Sequence, residues 1–157
     1  MTARSGIGID SHAFAPGRRL ILGGVEIPHD RGLAGHSDAD VLAHAITDAL
    51  LGPAGLGDIG QLFPDTDEAW RDADSMQLLR HVVGLLAERG LRAEHVDATV
   101  MLERPKLAAH RDAIRDSLAA ALGCPVNVKA TTGEGMGFVG RGEGAAALAV
   151  ATVVGVY

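Results

Sequence analysis

Cysteine and aromatic residues are scarce in this 157-residue chain. The single cysteine, Cys124, excludes an internal disulfide and a zinc site built from several cysteines. Aromatic residues make up only 3% of the sequence and hydrophobic residues 47%, so the core has to be built from Ala, Val, Leu and Ile. The length and the hydrophobic fraction are typical of one domain spanning residues 1–157.

Long hydrophobic runs and a surplus of basic residues are also lacking. No segment approaches the ~20 apolar residues of a membrane span, and the first eight residues lack the apolar region of a secretory signal. We therefore expect a cytoplasmic protein without a membrane partner. The 20 acidic and 14 basic residues give a formal net charge of −6. This balance argues against nucleic acid as a partner, since that requires a basic surface.

The hydrophobic pattern predicts an α+β fold with a mixed or antiparallel sheet of four to five strands, covered on one side by about three helices. Strands are predicted at residues 4–9, 91–102, 125–132 and 145–157, and a hairpin turns at Gly23-Gly24. Helices are predicted at residues 38–52, 72–90 and 106–123. Ile7 and Ile9 alternate as in a half-buried strand. The final strand shows little polar alternation, so we expect both of its faces to be buried, for example in a subunit interface.

Asp10 and His12 follow the first predicted strand, two residues apart and therefore on one face. A strand-end aspartate in a turn and a surface histidine also explain this pair. His44 lies on the first predicted helix and shares a face with Asp40 and Asp48, where a core histidine bonded to Asp48 is the alternative. Asp, His and His together form a metal-ligand set that leaves the fourth tetrahedral position for a substrate oxygen. Asp48 or Asp40 would then orient the imidazole of His44.

Two polar segments flank that helix. In GHSDAD, helix capping explains Ser37 and Asp38, whereas His36 requires another reason, such as a hydrogen bond to a ligand. The long loop at residues 54–70 is punctuated by Gly and Pro, and loops of this length are usually functional or disordered. Its carboxylates either bind hydroxyl groups of a polyol or lie in solvent; they are Asp58, Asp65 and Asp67.

The segment KATTGEGMGFVGRGEG is the most unusual one. Its glycines match G-x-G-x-x-G, but a strand rather than a helix follows, which excludes a dinucleotide-binding turn. The hydroxyls of Thr131 and Thr132 suit phosphate oxygens, and Glu134 beside them is a natural Mg²⁺ ligand. A glycine hinge between strands explains the glycines but not the threonines and the glutamate. Serine-nucleophile motifs such as G-x-S-x-G are absent. An open metal site with a phosphate-binding loop indicates metal-assisted phosphoryl chemistry.

These segments, in their order, resemble the 2-C-methyl-D-erythritol 2,4-cyclodiphosphate synthases. The resemblance covers essentially the whole chain and rests on GIGIDSHAF, LILGGVEIP, GLAGHSDADVLAHAITDALLG, GLGDIGQLFPDTD, ERPKL and NVKATTGEGMGFVGRGEG. It implies a homotrimer with the sheets facing a central cavity and with active sites between subunits. It also implies a phosphorus–oxygen lyase of the non-mevalonate isoprenoid pathway. The substrate of that family, 4-diphosphocytidyl-2-C-methyl-D-erythritol 2-phosphate, is cyclised with release of CMP.

The same resemblance implies two cations. Zn²⁺ would be held by Asp10, His12 and His44, although this ligand set also tolerates Mn²⁺ and Co²⁺. A second cation, Mg²⁺ or Mn²⁺, would be bound by Glu134 and by the diphosphate of the substrate.

The resemblance further implies that His36 and Thr132 stabilise the transition state, and that Asp58 binds the erythritol hydroxyls with Asp65 nearby. The stretch Leu102 to Ala108 would line the cytidine pocket, and Arg141 would face the central cavity and bind an isoprenoid diphosphate or another anion. The remaining positions expected to contact the substrate are Ser37, Ile59, Gly60, Phe63, Asp67, Leu102, Pro105, Lys106, Leu107, Ala108, Ala130, Thr131, Gly133 and Phe138.

One departure from the family pattern concerns the phosphate loop. Gly133 stands where many relatives have a third Thr or Ser, and Gly135 stands where they have a bulkier residue. We therefore expect a more flexible loop and weaker or more metal-dependent substrate binding. Two other functions fit the same residues. A zinc phosphohydrolase would use the metal to activate water, and a non-catalytic trimeric protein would only bind isoprenoid diphosphates.

Overall fold

The computed structural model describes residues 2–156 and shows an α+β fold. The strands in this range are β1 (Ala3–Pro16), β2 (Leu20–Leu22), β3 (Val25–Ile27), β4 (Arg31–Leu33), β5 (Leu91–Met101), β6 (Val126–Thr131) and β7 (Gly144–Gly155). The helices are α1 (Val41–Ala54), α2 (Ile59–Leu62), α3 (Ser75–Glu88), α4 (Arg111–Leu122) and α5 (Gly137–Gly140), with a 3₁₀ turn at Glu68–Trp70.

The main sheet has five strands in the order β4-β1-β7-β5-β6, and β2 and β3 form a separate hairpin. All neighbours in the main sheet are antiparallel except β5 and β6, which are parallel. The predicted mixed sheet is therefore confirmed. The hairpin turns at Gly23 and Gly24 as predicted, because both have the positive φ (58° and 79°) that a tight two-residue turn requires.

Three long helices, α1, α3 and α4, pack together on the sheet, and α1 lies against β1 and β7. The three predicted helices are present, and the structure contains two further helices of four residues each within residues 2–156. The third helix begins at Arg111 rather than Lys106, since His110 closes a turn onto the carbonyl oxygen of Leu107. The predicted loop at 54–70 contains α2 and the 3₁₀ turn. Within residues 2–156, no helix is long and apolar enough to span a membrane.

Strand β1 buries glycines rather than isoleucines. Ile7 and Ile9 point away from the helices and are 62% and 64% exposed, whereas Gly6 and Gly8 lie under α1. A Cβ atom on Gly8 would lie only 1.7 Å from the carbonyl oxygen of Ala45. The interpretation of the isoleucines as the buried side of the strand is therefore wrong. The helix packs on the glycine side, because glycines have no side chain and allow its backbone to approach.

Strand β7 buries one face only. Its inner face presents the small buried side chains of Ala145, Ala147, Ala149, Ala151 and Val153. On its outer face Leu148 and Val150 are 40% and 42% exposed, and they pair with Ile9 and Ile7 of β1. The single chain therefore buries one face of β7, and burial of the outer face in a subunit interface stays a prediction. We call the exposed side chains of Ile7, Ile9, Leu148 and Val150 the outer apolar patch.

Candidate active site

Three potential metal ligands converge where β1 meets α1. Asp10 and His12 lie on the same face of β1 as the buried glycines, and His44 lies in the first turn of α1. The Asp10 Oδ2 atom is 2.8 Å from His12 Nε2 and 3.1 Å from His44 Nδ1, and these two nitrogens are 3.2 Å apart. Within residues 2–156 this is the group of three His, Cys, Asp or Glu side chains whose ligand atoms can share one ion.

The distances suit a tetrahedral metal ion. Bonds of 2.0–2.1 Å to zinc place neighbouring ligand atoms about 3.3 Å apart, close to the 2.8–3.2 Å found here. His12 Nδ1 lies 3.0 Å from the carbonyl oxygen of Ala34, to which it donates. The lone pair of its Nε2 atom is therefore free for a cation. The sequence-based choice of Asp10, His12 and His44 as one ligand group agrees with this geometry.

Charge in the cluster follows from these contacts. Burial raises the pKa of Asp10, but its close contacts with the ring nitrogens of His12 and His44 outweigh burial and lower it to about 2. Burial opposes the charged form of His12, yet its hydrogen bond to Asp10 raises the pKa of that imidazole above its ordinary value. Asp10 is thus ionised at neutral pH and supplies the negative charge that a divalent cation requires.

The carboxylates predicted to orient His44 have other partners. Asp40 is fully buried and caps α1 by accepting from Ala43 N, and it also accepts from the N–H groups of Gly23 and Gly24. Burial raises its pKa to about 6 despite these bonds. Asp48 accepts from the N–H of Ile59 at 2.7 Å, and burial raises its pKa as well. The prediction that Asp48 orients the imidazole of His44 is therefore corrected, because Asp48 binds the backbone of Ile59 instead.

The side of His44 remote from Asp10 instead faces two serines. The His44 Nε2 atom is 2.7 Å from Ser75 Oγ and 3.2 Å from Ser37 Oγ. Ser75 is completely buried at the first position of α3, where Asp74 rather than Ser75 is the N-cap. Ser75 lies 31 residues from His44 along the chain, so sequence reasoning missed their contact.

A cavity of about 430 Å³ opens beside the metal ligands. It brings together several residues predicted to contact the substrate, and its lining consists of His12, Gly35, His36, Ser37, His44, Ile59, Gly60, Phe63, Pro64, Asp65, Trp70 and Leu78. Gly35, Pro64, Trp70 and Leu78 were missed. Trp70 packs edge-on against Phe63 with ring centroids 4.9 Å apart. The two rings together form an apolar wall of the cavity.

Two predicted substrate ligands have capping roles in the structure. Asp58 begins α2 by accepting from Gln61 N at 2.9 Å, and Asp67 begins the 3₁₀ turn by accepting from Ala69 N at 3.0 Å. The backbone carbonyl of Asp67 also lies 3.2 Å from His36 Nε2. The two caps fix the backbone at the start of α2 and of the 3₁₀ turn, and the contact with His36 connects the 54–70 loop to the segment before α1.

A second cavity, of about 200 Å³, lies at the other edge of the sheet, where β5 and β6 end. Its lining contains most of the stretch predicted to bind cytidine, without Glu103 and Arg104, and adds Arg111, which was missed. The lining residues are Leu102, Pro105, Lys106, Leu107, Ala108, Arg111, Ala130, Thr131 and Thr132. His36 lines the first cavity and Thr132 the second, so a single chain does not bring these two predicted catalytic residues together in one cavity.

The phosphate loop is held more tightly than its glycines suggest. Gly133 is half-buried, and its N–H donates to Glu103 Oε1 at 2.9 Å. A Cβ atom at this position would lie 2.6 Å from the backbone nitrogen of Gly140. A side chain at position 133 would therefore require the loop backbone to shift, and the greater flexibility expected of the loop stays a prediction. Glu134 has a positive φ of 52°, is exposed, and is not part of the Asp10–His12–His44 cluster.

Two further predicted residues lie near β1 on the outer side of the sheet. Phe138 is 45% exposed and lines a shallow cavity with Ser11 and Glu143. Arg141 pairs with the carboxylate of Glu143, at 3.0 Å from Nε and 2.8 Å from its terminal nitrogen. An anion at Arg141 would thus have to compete with Glu143.

Comparison with known proteins identifies the family of this chain. The YgbB family matches residues 3–154. A Salinibacter ruber protein named 2-C-methyl-D-erythritol 2,4-cyclodiphosphate synthase is 61% identical over 153 residues, covering 96% of this chain and 98% of that protein. The bifunctional IspDF of Campylobacter jejuni superposes with a TM-score of 0.93 at 44% identity, covering 97% of this chain and 42% of that one. A CDP-bound 2C-methyl-D-erythritol-2,4-cyclodiphosphate synthase superposes with a TM-score of 0.88 at 41% identity, covering 96% and 100%. The resemblance found in the sequence is confirmed, and the chain belongs to the YgbB family.

Proposed function

We propose that this chain cyclises 4-diphosphocytidyl-2-C-methyl-D-erythritol 2-phosphate to 2-C-methyl-D-erythritol 2,4-cyclodiphosphate and releases CMP. The observation that carries the proposal is the Asp10–His12–His44 cluster at the wall of a 430 Å³ cavity. The identity of the substrate is supported by a relative that is 61% identical to this chain and is named as the synthase of this product. In the reaction an oxygen of the 2-phosphate attacks the β-phosphorus, and CMP leaves with the electron pair of the broken anhydride bond.

The chain's own residues have to position two phosphate groups of one molecule, because the nucleophile belongs to the substrate. Zn²⁺ at Asp10, His12 and His44, with Mg²⁺ or Mn²⁺ at Glu134, would supply charge stabilisation to the phosphates. His36 and Ser37 face the same cavity as the metal ligands and can donate hydrogen bonds to phosphate oxygens. The 54–70 loop lines this cavity with Phe63 and Trp70. Asp58 and Asp65 of the same loop would bind the erythritol hydroxyls.

The nucleotide would occupy the second cavity, between Leu102–Ala108 and Ala130–Thr132. The CDP complex reported for a structural relative supports this assignment. Lys106 and Arg111 line the cavity and can attract the diphosphate, while the apolar side chains exclude water from the base. Thr132 would then stabilise charge on the transferring phosphorus, next to the cation at Glu134.

Assembly of three copies would unite the two cavities. Packing of the sheets against one another would bury the outer apolar patch of Ile7, Ile9, Leu148 and Val150, which is exposed in the single chain. His36 and Thr132 line separate cavities of one chain, which supports active sites shared between neighbouring subunits. Arg141 and Phe138 would then face the central cavity and bind an isoprenoid diphosphate. The assignments as one domain, as a phosphorus–oxygen lyase and to the cytoplasm remain predictions.

Phosphorus NMR of the protein with this substrate and Mg²⁺ tests the proposal. CMP together with two coupled signals of a cyclic diphosphate, both lost after zinc chelation, is the expected result. His44→Gln should behave like the chelated protein, and the matched control His95→Gln, on an exposed histidine of β5, should retain activity. Linear phosphates would instead identify a phosphohydrolase. An unchanged substrate spectrum from folded, metal-loaded protein would identify a binding protein. The comparisons favour neither alternative.

A further inference from the structure

His44 is connected to a buried serine and a carboxylate on the side opposite the metal cluster. Ser75 Oγ is 2.7 Å from His44 Nε2, and Ser75 has no exposed surface. The same hydroxyl also contacts Asp38 Oδ1 at short range, and the N–H of Ser75 donates to Asp38 Oδ2 at 3.1 Å. Asp38 therefore holds both polar groups of Ser75.

The hydrogen positions follow from the chemistry of these groups. An ionised carboxylate only accepts hydrogen bonds, so the single hydrogen of the Ser75 hydroxyl points to Asp38. The hydroxyl oxygen then presents a lone pair to His44 and must accept a hydrogen from Nε2. A neutral His44 with its hydrogen on Nε2 has its lone pair on Nδ1, the atom that faces Asp10 and His12.

We infer that Ser75 and Asp38 are positioning residues, which hold His44 in the one tautomer and ring orientation that direct Nδ1 to the metal. The inference rests on the metal site proposed above. Nothing in that proposal assigns a role to either residue, and helix capping does not explain Ser75, because Asp74 already caps α3 by accepting from Met76 N at 2.9 Å. Ser37 Oγ, at 3.2 Å from the same Nε2 atom, is the more distant acceptor.

The carboxylate itself is fixed by the backbone around it. The N–H of Asp38 donates to the carbonyl of Ala73, and the N–H of Asp40 donates to Asp38 Oδ1, each at 3.1 Å. The N–H of Asp72 donates to the carbonyl of His36 at 2.8 Å. The segment that carries His36 and Ser37 is thus bound to the start of α3, and Ser75 connects that junction to the metal ligand.

The test compares Ser75→Ala and Asp38→Asn with Asp74→Ala as the matched control. Asp74→Ala removes the cap of the same helix, so it should lower the melting temperature by about 2–4 °C without changing His44. Ser75→Ala should weaken Zn²⁺ binding about 10- to 100-fold, measured by competition with a chelator. In Asp38→Asn the hydroxyl is released to donate to His44, so the hydrogen should move towards Nδ1.

Ring ¹⁵N NMR of the metal-free proteins at high pH reads the tautomer directly. We expect wild type and Asp74→Ala to carry the His44 hydrogen on Nε2, and both other variants to show a mixture. Unchanged zinc affinity and an unchanged tautomer in Ser75→Ala or Asp38→Asn would overturn the inference. A wild type that binds no zinc would instead overturn the metal site, and the tautomer measurement would still report on Ser75 and Asp38. If Ser75→Ala fails to fold, Asp38→Asn decides.

Discussion

Replacing Gly8 by alanine perturbs the contact that brings the metal ligands together. The new Cβ atom would lie 1.7 Å from the carbonyl oxygen of Ala45 and 2.9 Å from the backbone nitrogen of Ala49. Both neighbours are backbone atoms of α1, so no side-chain rotation can relieve the overlap. Ordinary contact begins near 3.4 Å, and strand and helix would therefore have to separate by about 1.7 Å.

That separation is large for both stability and metal binding. We expect the free energy of unfolding to fall by about 3 kcal/mol, at the upper end of the range for overpacked cores. His44 directly precedes Ala45, so its Nδ1 atom would move away from Asp10 and His12 by a similar distance. Zinc bonds tolerate about 0.2 Å, and we expect the affinity for Zn²⁺ to fall more than about 100-fold.

Urea unfolding and chelator competition measure the two effects. Gly84→Ala is the matched control, since Gly84 lies in α3 with nothing within 4 Å of its added Cβ, and it should gain about 0.5–1 kcal/mol. Gly6→Ala meets the carbonyl of Ala49 at 2.0 Å, more than one turn beyond His44, so it should lose stability but less zinc affinity. Wild-type stability and affinity in Gly8→Ala would refute the role given to this glycine.

Three other predictions follow from the same geometry. Burial raises the pKa of Asp40 from 3.8 to about 6, so the folded protein retains a proton that the unfolded chain releases, and stability should fall as pH rises from about 4 to 6. Urea unfolding of the metal-free protein should show a smaller decrease in Asp40→Asn, and equal slopes would contradict the assignment. Zn²⁺ at 100 times its Kd should stabilise the fold by about 2.7 kcal/mol and raise Tm by roughly 5–10 °C, and calorimetry should show no such rise in His44→Gln. Ile9→Asp in the outer apolar patch should give monomers in sedimentation experiments, whereas Ala120→Asp on the exposed side of α4 should not; a trimeric Ile9→Asp protein would exclude this patch as the interface.

Several features of the fold and the site could be read from the sequence because they depend on local rules. The hairpin at Gly23-Gly24 follows from a turn that requires positive φ, and the three long helices follow from hydrophobic spacing and caps. Asp10 and His12 share a face because strand side chains alternate. His44 could be joined to them from residue type and helical position, and the family resemblance gave the same ligand set.

Other features required the tertiary structure. The burial of Gly6 and Gly8 in place of Ile7 and Ile9 depends on which face of β1 meets α1, and alternation alone does not choose the face. Asp48 was predicted as the partner of His44, whereas the structure shows Ser75 in that role. This difference also depends on how the elements pack. Asp48 is on the right helix face but binds the N–H of Ile59. The serine is 31 residues away in the chain and is brought to the imidazole by the packing of α3 against α1.

The sequence by itself thus determined the kinds of elements, the ligand types and the family of this protein, since propensity, periodicity and motif order are local properties of the chain. Only the tertiary structure decided which face of each element is buried, which carboxylates serve as caps, and which hydroxyl contacts His44. These choices depend on close approach between segments distant in sequence, and the approach of α1 to β1 is possible only because Gly6 and Gly8 lack a side chain.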